Sequence, residues 1–189
     1  MRNLTDRELQ TFINKAKLFI GDNISEIINE NTSLAMNKKD LILFKKELEK
    51  KSSNIPKSKI IFLGTVLGRF RKNRNENKKN ENHNKTSRFE FDITALSILS
   101  KYAINKVYIK KSAEMNVLYG NNVLKSHLYK IPENLEQKAA VVLYNTYNVP
   151  LGFGITSKSS ASLTVAGGSS MAIIRQGDAG DYLRRETEL

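Results

Sequence analysis

The sequence predicts an α+β protein, in which a small N-terminal α/β domain over residues 1–102 precedes a small C-terminal β-barrel over residues 103–189. In the first half, helical periodicity alternates with strand-like apolar runs. The second half instead has short apolar runs, one clear helix and glycine-rich corners. A chain of 189 residues is long enough to bury a core without disulfides, and it contains no cysteine.

The first helix has clear signals at both ends. Thr5-Asp6-Arg7-Glu8 has the pattern of a capping box, apolar residues follow at helical spacing to Ile20, and Gly21 supplies the stop. The elements predicted after it are a short helix around Ile24–Ile28, a hairpin of Leu34–Met36 and Leu41–Phe44, a helix over Lys45–Ser53, strands over Lys59–Gly64 and Phe89–Ile93, and a helix over Thr94–Tyr102.

An insertion separates the last two predicted strands. Residues 71–88 contain six asparagines, seven basic and two acidic side chains, and no apolar side chain. Such a segment cannot bury enough surface to offset the entropy of ordering it, so we expect a disordered loop at the tip of a hairpin. A solvated insertion is favoured over a nuclear-localisation or RNA-binding segment, and both interpretations stay open.

Short strands and one helix make up the second half. The predicted helix is capped by Ser112 and ends at Gly120. The predicted strands are Lys106–Lys110, Ala139–Tyr144, Val149–Ile155 and Met171–Arg175. This succession of short strands is typical of a small β-barrel.

Composition narrows the function classes. Thirty-one Lys and Arg against 19 Asp and Glu give a net charge of +12, which favours a polyanionic partner and nucleic acid first. The absence of cysteine excludes thiolate zinc sites and cysteine nucleophiles, and with only two histidines we expect no metal and no cofactor. The start lacks an apolar signal region and the longest apolar run is Ala139–Tyr144, so no membrane association is expected.

One turn and one strand carry the candidate binding residues. In the segment 119–126, Gly120, Asn121 and Asn122 tolerate left-handed backbone, so several N–H groups can face a phosphate beside Lys125 and Ser126. An ordinary helix end with a surface lysine is the alternative. The strand 149–155 carries Gly152 and Gly154 on one face, which indicates close approach of either another backbone or a ligand, and Ser157 and Lys158 follow it.

Three segments resemble a PUA domain, the RNA-binding module of pseudouridine synthases and archaeosine transglycosylases. They are Tyr119–Ser126, Val149–Gly154 and Asp178–Arg184. The front of the chain resembles one family in particular, the Nip-seven group of ribosome biogenesis factors. The residues that carry this likeness are Met1–Thr5, Phe19–Gly21, Leu63–Thr65, Gly68–Phe70 and Thr94–Leu96.

The resemblance implies a C-terminal PUA pseudo-barrel that binds pre-rRNA or uridine-rich single-stranded RNA. It also implies an N-terminal domain that contacts pre-60S assembly factors. Together with the pattern above, it makes Asn121, Asn122, Lys125, Ser126, Ser157 and Lys158 the expected RNA-binding residues. His127 stands where the family has a glycine, and an exposed imidazole there could stack on a base or simply pack.

The predicted function is a non-catalytic RNA-binding assembly factor for pre-rRNA processing and 60S subunit biogenesis. It is expected to be a monomer in the nucleus and nucleolus, with the cytoplasm as a further compartment. One alternative is an RNA-modifying enzyme with an appended PUA module, but the first hundred residues show no glycine-rich cofactor loop. The other is a protein-interaction scaffold without RNA affinity, since residues 103–189 carry only ten basic against seven acidic side chains.

Overall fold

The structure, a computed structural model, describes residues 1–52, 54–56, 59–60, 63–72 and 87–186. These residues divide into two compact units. The first unit holds Met1–Lys17 and the described part of Asp22–Ala95, and the second holds Leu18–Gly21 and the described residues from Leu96 onward. Each unit has its own sheet and helices, which confirms the predicted α+β class. The domain boundary between residues 102 and 103 stays a prediction.

Helix α1 spans Asp6–Ile20 and begins with the predicted capping box. The Thr5 hydroxyl accepts a hydrogen bond from the Glu8 N–H at 3.3 Å, and the Glu8 carboxylate accepts one from the Thr5 N–H at 3.0 Å. Glu8 also pairs with Arg2 at 2.6 Å, and the hydrogen bond from Arg2 is the largest cause that lowers the pKa of Glu8 to about 2. Gly21, at φ 59°, ends the helix as predicted.

A four-stranded antiparallel sheet forms the first unit, with its strands in sequence order. The strands are β1 (Thr32–Asn37), β2 (Asp40–Lys45), β3 (Thr65–Lys72) and β4 (Ser87–Phe91), and the short helices are α2 (Ile24–Ile27) and α3 (Lys46–Ser52). The β1–β2 hairpin and both helices confirm the prediction. The rings of Phe12 on α1 and Phe89 on β4 meet edge to face at 5.3 Å, which places the core between this helix and the sheet.

The strand predicted over Lys59–Gly64 is wrong in the described residues. Lys59, Ile60, Leu63 and Gly64 are not extended strand, and residues 61 and 62 lie outside the described ranges. Gly64 adopts φ 83°, which interrupts extended backbone. Strand β3 therefore begins at Thr65, directly after Gly64, and runs to Lys72.

A hairpin does flank the insertion, but its first strand is β3 instead of the predicted Lys59–Gly64, and its stem includes both ends of the segment 71–88. Arg71 pairs with Arg88 and Lys72 pairs with Ser87, so these residues extend the strands instead of forming a loop. Residues 73–86 lie outside the described ranges, and the disorder expected for them stays a prediction.

The second unit contains a six-stranded sheet in the order β6-β10-β9-β8-β5-β7, in which β5 and β8 are parallel. The strands are β5 (Lys106–Ile109), β6 (Val123–Leu124), β7 (Leu128–Lys130), β8 (Ala140–Tyr144), β9 (Pro150–Thr156) and β10 (Met171–Asp178). The helices are α4 (Leu96–Tyr102), α5 (Glu114–Leu118), α6 (Ser160–Val165) and α7 (Asp181–Arg184).

This sheet curls into a near-closed barrel. Strands β6 and β7 occupy its opposite edges, yet only Lys125–His127 join them, so the edges must come together. We call Lys125–His127 the barrel link. The barrel predicted from sequence is confirmed, and its interior is packed with side chains that include Val107, Val117, Val123, Leu143 and Ile173.

The helix predicted to follow Ser112 has a different start. Ser112 lies inside a 3-10 turn over Lys111–Ala113, which is closed by a 2.9 Å hydrogen bond from the Ala113 N–H to the Lys110 carbonyl. Helix α5 therefore begins only at Glu114, and its N-cap Ala113 makes no side-chain capping bond. The prediction of Ser112 as N-cap is wrong because the tighter turn includes it.

Candidate nucleic-acid interface

The backbone amides at the bend after α5 are already hydrogen-bonded. The Gly120 N–H donates to the Val117 carbonyl at 2.9 Å, and the Asn121 N–H donates to the Asn116 carbonyl at 3.1 Å. Gly120 has φ 88°, as expected of a helix stop. The sequence-based expectation of several free N–H groups in a row is therefore wrong here, since these amides satisfy the end of the helix.

The amides of the barrel link are likewise used inside the protein. The Lys125 N–H donates to the Ser170 carbonyl at 2.8 Å, and the Ser126 N–H donates to the Gly168 carbonyl at 2.9 Å. The imidazole Nδ1 of His127 accepts a bond from the Leu124 N–H at 3.3 Å. His127 thus helps to hold the link, and these amides are not free to bind a phosphate.

The ammonium group of Lys125 has two partners in the protein. Its Nζ donates to the carbonyl oxygens of Thr164 and Ala166, at 2.8 and 2.6 Å. These carbonyls lie at the C-terminal end of α6, where a helix lacks internal partners. Lys125 therefore joins this helix to the barrel link and has one N–H left for a ligand.

Ser157 and Lys158 lie between the end of β9 and the start of α6. The Ser157 hydroxyl donates to the Met171 carbonyl at 2.5 Å, so it is fixed against β10. The side chain of Lys158 is exposed. Strands β6 and β9 flank β10, so the link and Ser157 lie about 10 Å apart at one end of the barrel.

The two asparagines lie farther along β10. The Asn122 side-chain oxygen accepts a hydrogen bond from the Arg175 N–H at 3.0 Å, and both Asn121 and Asn122 are exposed. Arg175 is four residues beyond Met171, or about 13 Å along a strand. The six predicted residues are thus spread along β10 and across one end of the barrel, and they do not form a single compact site.

The bare face of β9 is covered by protein. A Cβ atom on Gly152 would lie 2.5 Å from the Gly177 carbonyl oxygen, and one on Gly154 would collide with the Ile174 carbonyl oxygen. Of the two alternatives left open by the sequence, close approach of another backbone is the one observed. These glycines form no wall for a ligand.

Two aspartates and two arginines of the second unit form an ion-pair network. Asp178 is fully buried and pairs with Arg175 at 2.5 Å and with Arg184 at 2.8 Å. Asp181 pairs with the same two arginines, at 3.0 and 2.6 Å. Burial would raise the pKa of Asp181, but the hydrogen bonds from Arg184 and the Asp178 N–H and the arginine charges outweigh it and lower that pKa. Arg184 also donates to the Leu118 carbonyl at the end of α5.

Two exposed tyrosines next to the predicted residues were missed by the sequence reasoning. Tyr119 immediately precedes the bend and is 69% exposed, and Tyr129 on edge strand β7 is 66% exposed. Aromatic side chains on the surface of an RNA-binding module are candidates for stacking on unpaired bases. The sequence did contain this signal, since Tyr119 is the first residue of the PUA-like segment Tyr119–Ser126 and Tyr129 follows that segment by three residues.

Other site types find little support in the described ranges. No three His, Asp or Glu side chains there come together as a metal site. Nor does any helix in these ranges have the length and apolar content that a membrane crossing needs.

Family comparisons match almost the whole chain. Residues 1–93 match the family described as NIP7/UPF0113, pre-PUA domain, and residues 105–187 match the UPF0113 PUA domain. The 60S ribosome subunit biogenesis protein NIP7 homolog of Dictyostelium discoideum is 37% identical over 189 residues, covering 98% of each chain. The Tetraodon nigroviridis homolog is 36% identical over 192 residues, covering 100% of this chain and 99% of that one.

Solved structures agree on the fold. A hypothetical protein from Pyrococcus horikoshii superposes with a TM-score of 0.60 at 14% identity, covering 97% of each chain. A PUA domain from Aeropyrum pernix gives a TM-score of 0.56 at 12% identity, covering 96% of this chain and 87% of that one. The fold and the sequence identity agree with the resemblance seen in the motifs, and this chain belongs to the NIP7 family of 60S ribosome subunit biogenesis proteins.

Proposed function

We propose that this protein is a non-catalytic, RNA-binding assembly factor for pre-rRNA processing and biogenesis of the 60S ribosomal subunit. Its curated relatives are named as 60S ribosome subunit biogenesis proteins. The PUA domain that its second half matches is an RNA-binding fold. A net charge of +12 suits a polyanionic partner.

The proposed RNA surface combines the predicted polar residues with the two exposed tyrosines. We call this set the barrel-end surface, and it contains Asn121, Asn122, Lys125, Ser126, Ser157, Lys158, Tyr119 and Tyr129. Lys158 and Asn121, with exposed side chains, contact phosphate or base directly. Lys125 and Ser157, which are bonded to α6 and β10, shape the surface and offer their remaining hydrogen-bonding capacity.

Exposed aromatic side chains are the observation that carries this proposal. Tyr119 and Tyr129 flank the bend and the barrel link on the two sides in sequence, and both are largely exposed. Stacking needs unpaired bases, so the surface suits single-stranded RNA better than a duplex. Uridine-rich RNA is the expected target, and the protein is expected to act as a monomer.

The proposal assigns the first unit to contacts with pre-60S assembly factors and the protein to the nucleus and nucleolus. The names of the relatives support both assignments, since 60S assembly implies a nuclear or nucleolar role. The non-catalytic role is supported by the names of the curated relatives, which describe biogenesis proteins.

Fluorescence anisotropy with labelled 12-nucleotide oligouridine and oligoadenine tests the proposal. Removing one stacked base costs about 1–3 kcal/mol, so Tyr129→Ala should weaken oligouridine binding by roughly 5-fold to 150-fold. Lys158→Glu should reduce the slope of log affinity against log salt by about 0.7 for one lost phosphate contact.

Tyr147→Ala is the matched control, because Tyr147 is 74% exposed in the turn between β8 and β9 and does not belong to the barrel-end surface. It should leave RNA affinity unchanged. If the wild-type protein binds neither RNA at low salt, or if the control variant loses as much affinity as Tyr129→Ala, the barrel-end surface is not the RNA site.

A further inference from the structure

One face of the first-unit sheet concentrates arginines at neighbouring positions. Asp40 on β2 is the direct partner of Arg69 on β3, and Arg69 is also the direct partner of Glu90 on β4. Two residues along, Arg71 is the direct partner of Arg88. Direct partners and residues two apart in a strand lie on the same face. All five side chains therefore share one face of this sheet.

A cleft of about 590 Å³ opens at the end of this face. Its lining residues are Lys38, Lys39, Asp40, Arg69, Phe70 and Arg71. The two lysines belong to the β1–β2 turn, which extends the row of charges beyond the sheet. Phe70 is buried, so the exposed lining is almost entirely charged. We call these residues, together with Arg88 and Glu90, the basic cleft.

Carboxylates position the arginines without neutralising the cleft. Asp40 accepts a 2.6 Å contact from Nε of Arg69, while Glu90 lies 2.9 Å from Nε of Arg71 and 3.6 Å from Nε of Arg88. Each of these three ion pairs has its shortest contact at Nε. Three arginines and two lysines face two carboxylates, so the basic cleft keeps a net charge of +3.

The register places two like charges opposite each other, which is unfavourable without a counter-ion. Arg71 and Arg88 are direct cross-strand partners, and Glu90 lies between them as a single carboxylate. The pKa of Lys15 on α1 is lowered first by burial and then by the positive charge of Arg88, while Glu90 acts in the opposite direction. An anion bound beside Arg71 and Arg88 would offset the repulsion between these two directly paired arginines.

We propose that the basic cleft binds the phosphate backbone of RNA, as a second contact separate from the barrel-end surface. Arginine forks match phosphate geometry, and two lysines beside them add point charges. An acidic protein segment would usually need apolar anchors as well, and the described lining exposes none. Because it meets only the backbone, this contact adds affinity without reading sequence.

A second contact on the same chain changes how strongly the whole protein holds RNA. Once one site is occupied, the other meets the same strand at a high effective concentration. Residues 103–189 carry ten basic against seven acidic side chains, so their own electrostatic attraction for RNA is modest. A second basic contact in the first unit would add to it.

The test compares two triple variants of the full chain that each remove three positive charges. The cleft variant is Lys38→Asn, Lys39→Gln and Arg71→Gln, with Asn chosen because Lys38 has φ 56°. The control is Lys45→Gln, Lys46→Gln and Lys51→Gln, three exposed lysines of the same unit. Thermal melting followed by circular dichroism checks that both variants are folded.

Binding of a labelled 30-nucleotide single strand is measured against salt, in the wild-type and Tyr129→Ala backgrounds. The cleft variant should reduce the log-log slope by about 2, from three contacts at about 0.7 each, in both backgrounds. The control should lower it by less than about 0.5. If Tyr129→Ala leaves oligouridine binding unchanged, the effect of the cleft variant on the salt slope can still be measured. Either proposal can therefore fail while the other stands.

Two results would overturn the inference. One is an equal loss of slope in the cleft and control variants, which would mean that only overall charge matters. The other comes from a competition experiment, in which polyglutamate is added to the RNA complex at an equal concentration of charges. If polyglutamate displaces RNA from the wild-type protein but not from the cleft variant, the cleft would be assigned to acidic protein segments.

Discussion

The Nζ atom of Lys125 lies 2.6 Å from the carbonyl oxygen of Ala166. This contact joins the link that closes the barrel to the C-terminal end of α6, where a helix leaves carbonyl oxygens without internal partners. A cation at that position also interacts favourably with the helix dipole. Lys125, the one lysine of the PUA-like segment Tyr119–Ser126, thus has a structural role in addition to any role in RNA binding.

Lys125→Met should therefore lower the free energy of unfolding by about 1–2 kcal/mol, because two charge-assisted hydrogen bonds are lost. Urea denaturation followed by circular dichroism measures the change. Lys158→Met serves as the control, since Lys158 is exposed and the substitution should leave stability within about 0.5 kcal/mol. Equal stability of the two variants would contradict the capping role.

Gly154→Ala should destabilise the second unit by about 2 kcal/mol, since the new Cβ would collide with the Ile174 carbonyl oxygen and lie 2.9 Å from the Ile173 side chain. Gly167→Ala should be tolerated, because nothing lies within 4 Å of a Cβ atom at that position. Thermal unfolding of both variants gives the comparison. A neutral Gly154→Ala would show that the face of β9 is open after all.

Asp178→Asn should cost about 2 kcal/mol of unfolding free energy, because it removes charge-assisted bonds to Arg175 and Arg184 from a fully buried position. The amide keeps the shape of the side chain, so the loss reports on the charge. Glu136→Gln, at an exposed carboxylate of the same unit, should have no measurable effect. Chemical denaturation of each variant at neutral pH provides the measurement.

The Arg2–Glu8 pair predicts a pH dependence. The pKa of Glu8 is lowered from 4.5 to about 2, chiefly by the hydrogen bond from Arg2. A carboxyl with a lowered pKa in the folded state stabilises the protein fully above its unfolded value. This stability should be lost as pH falls from about 4.5 through about 2.

Glu8→Gln removes this titration. The difference in unfolding free energy between wild type and variant should be constant above about pH 5 and should shrink toward zero near pH 2. Urea titrations at several pH values would follow it. A difference that does not change with pH would mean that the pair contributes through packing alone.

The strong local signals allowed much of the fold to be predicted. The capping box at Thr5, the stop at Gly21 and the β1–β2 hairpin all depend on neighbouring residues, and all three are confirmed. The strands β6 and β7 were not predicted, because two or three residues are too few to show alternation. Their identity depends on partners far away in the chain.

The candidate site was predicted less well than the fold, for the same reason. The residues around Gly120 have the composition of a phosphate-binding turn, but their amides are satisfied by Val117 and Asn116. Whether an amide is free depends on tertiary pairing, which composition does not encode. The ion pairs between Asp178 and the two arginines likewise became visible only in three dimensions.

Strand order has a kinetic consequence. The first-unit strands pair in the order in which they occur, whereas the second-unit sheet pairs Val123 with Ile173 across a long stretch of chain. Long-range pairing must close a large loop before any contact compensates the lost entropy, so it is slow. During refolding, the sheet of the second unit should therefore acquire its protected amides last, with β6 joining β10 only after the β8–β9 hairpin has formed.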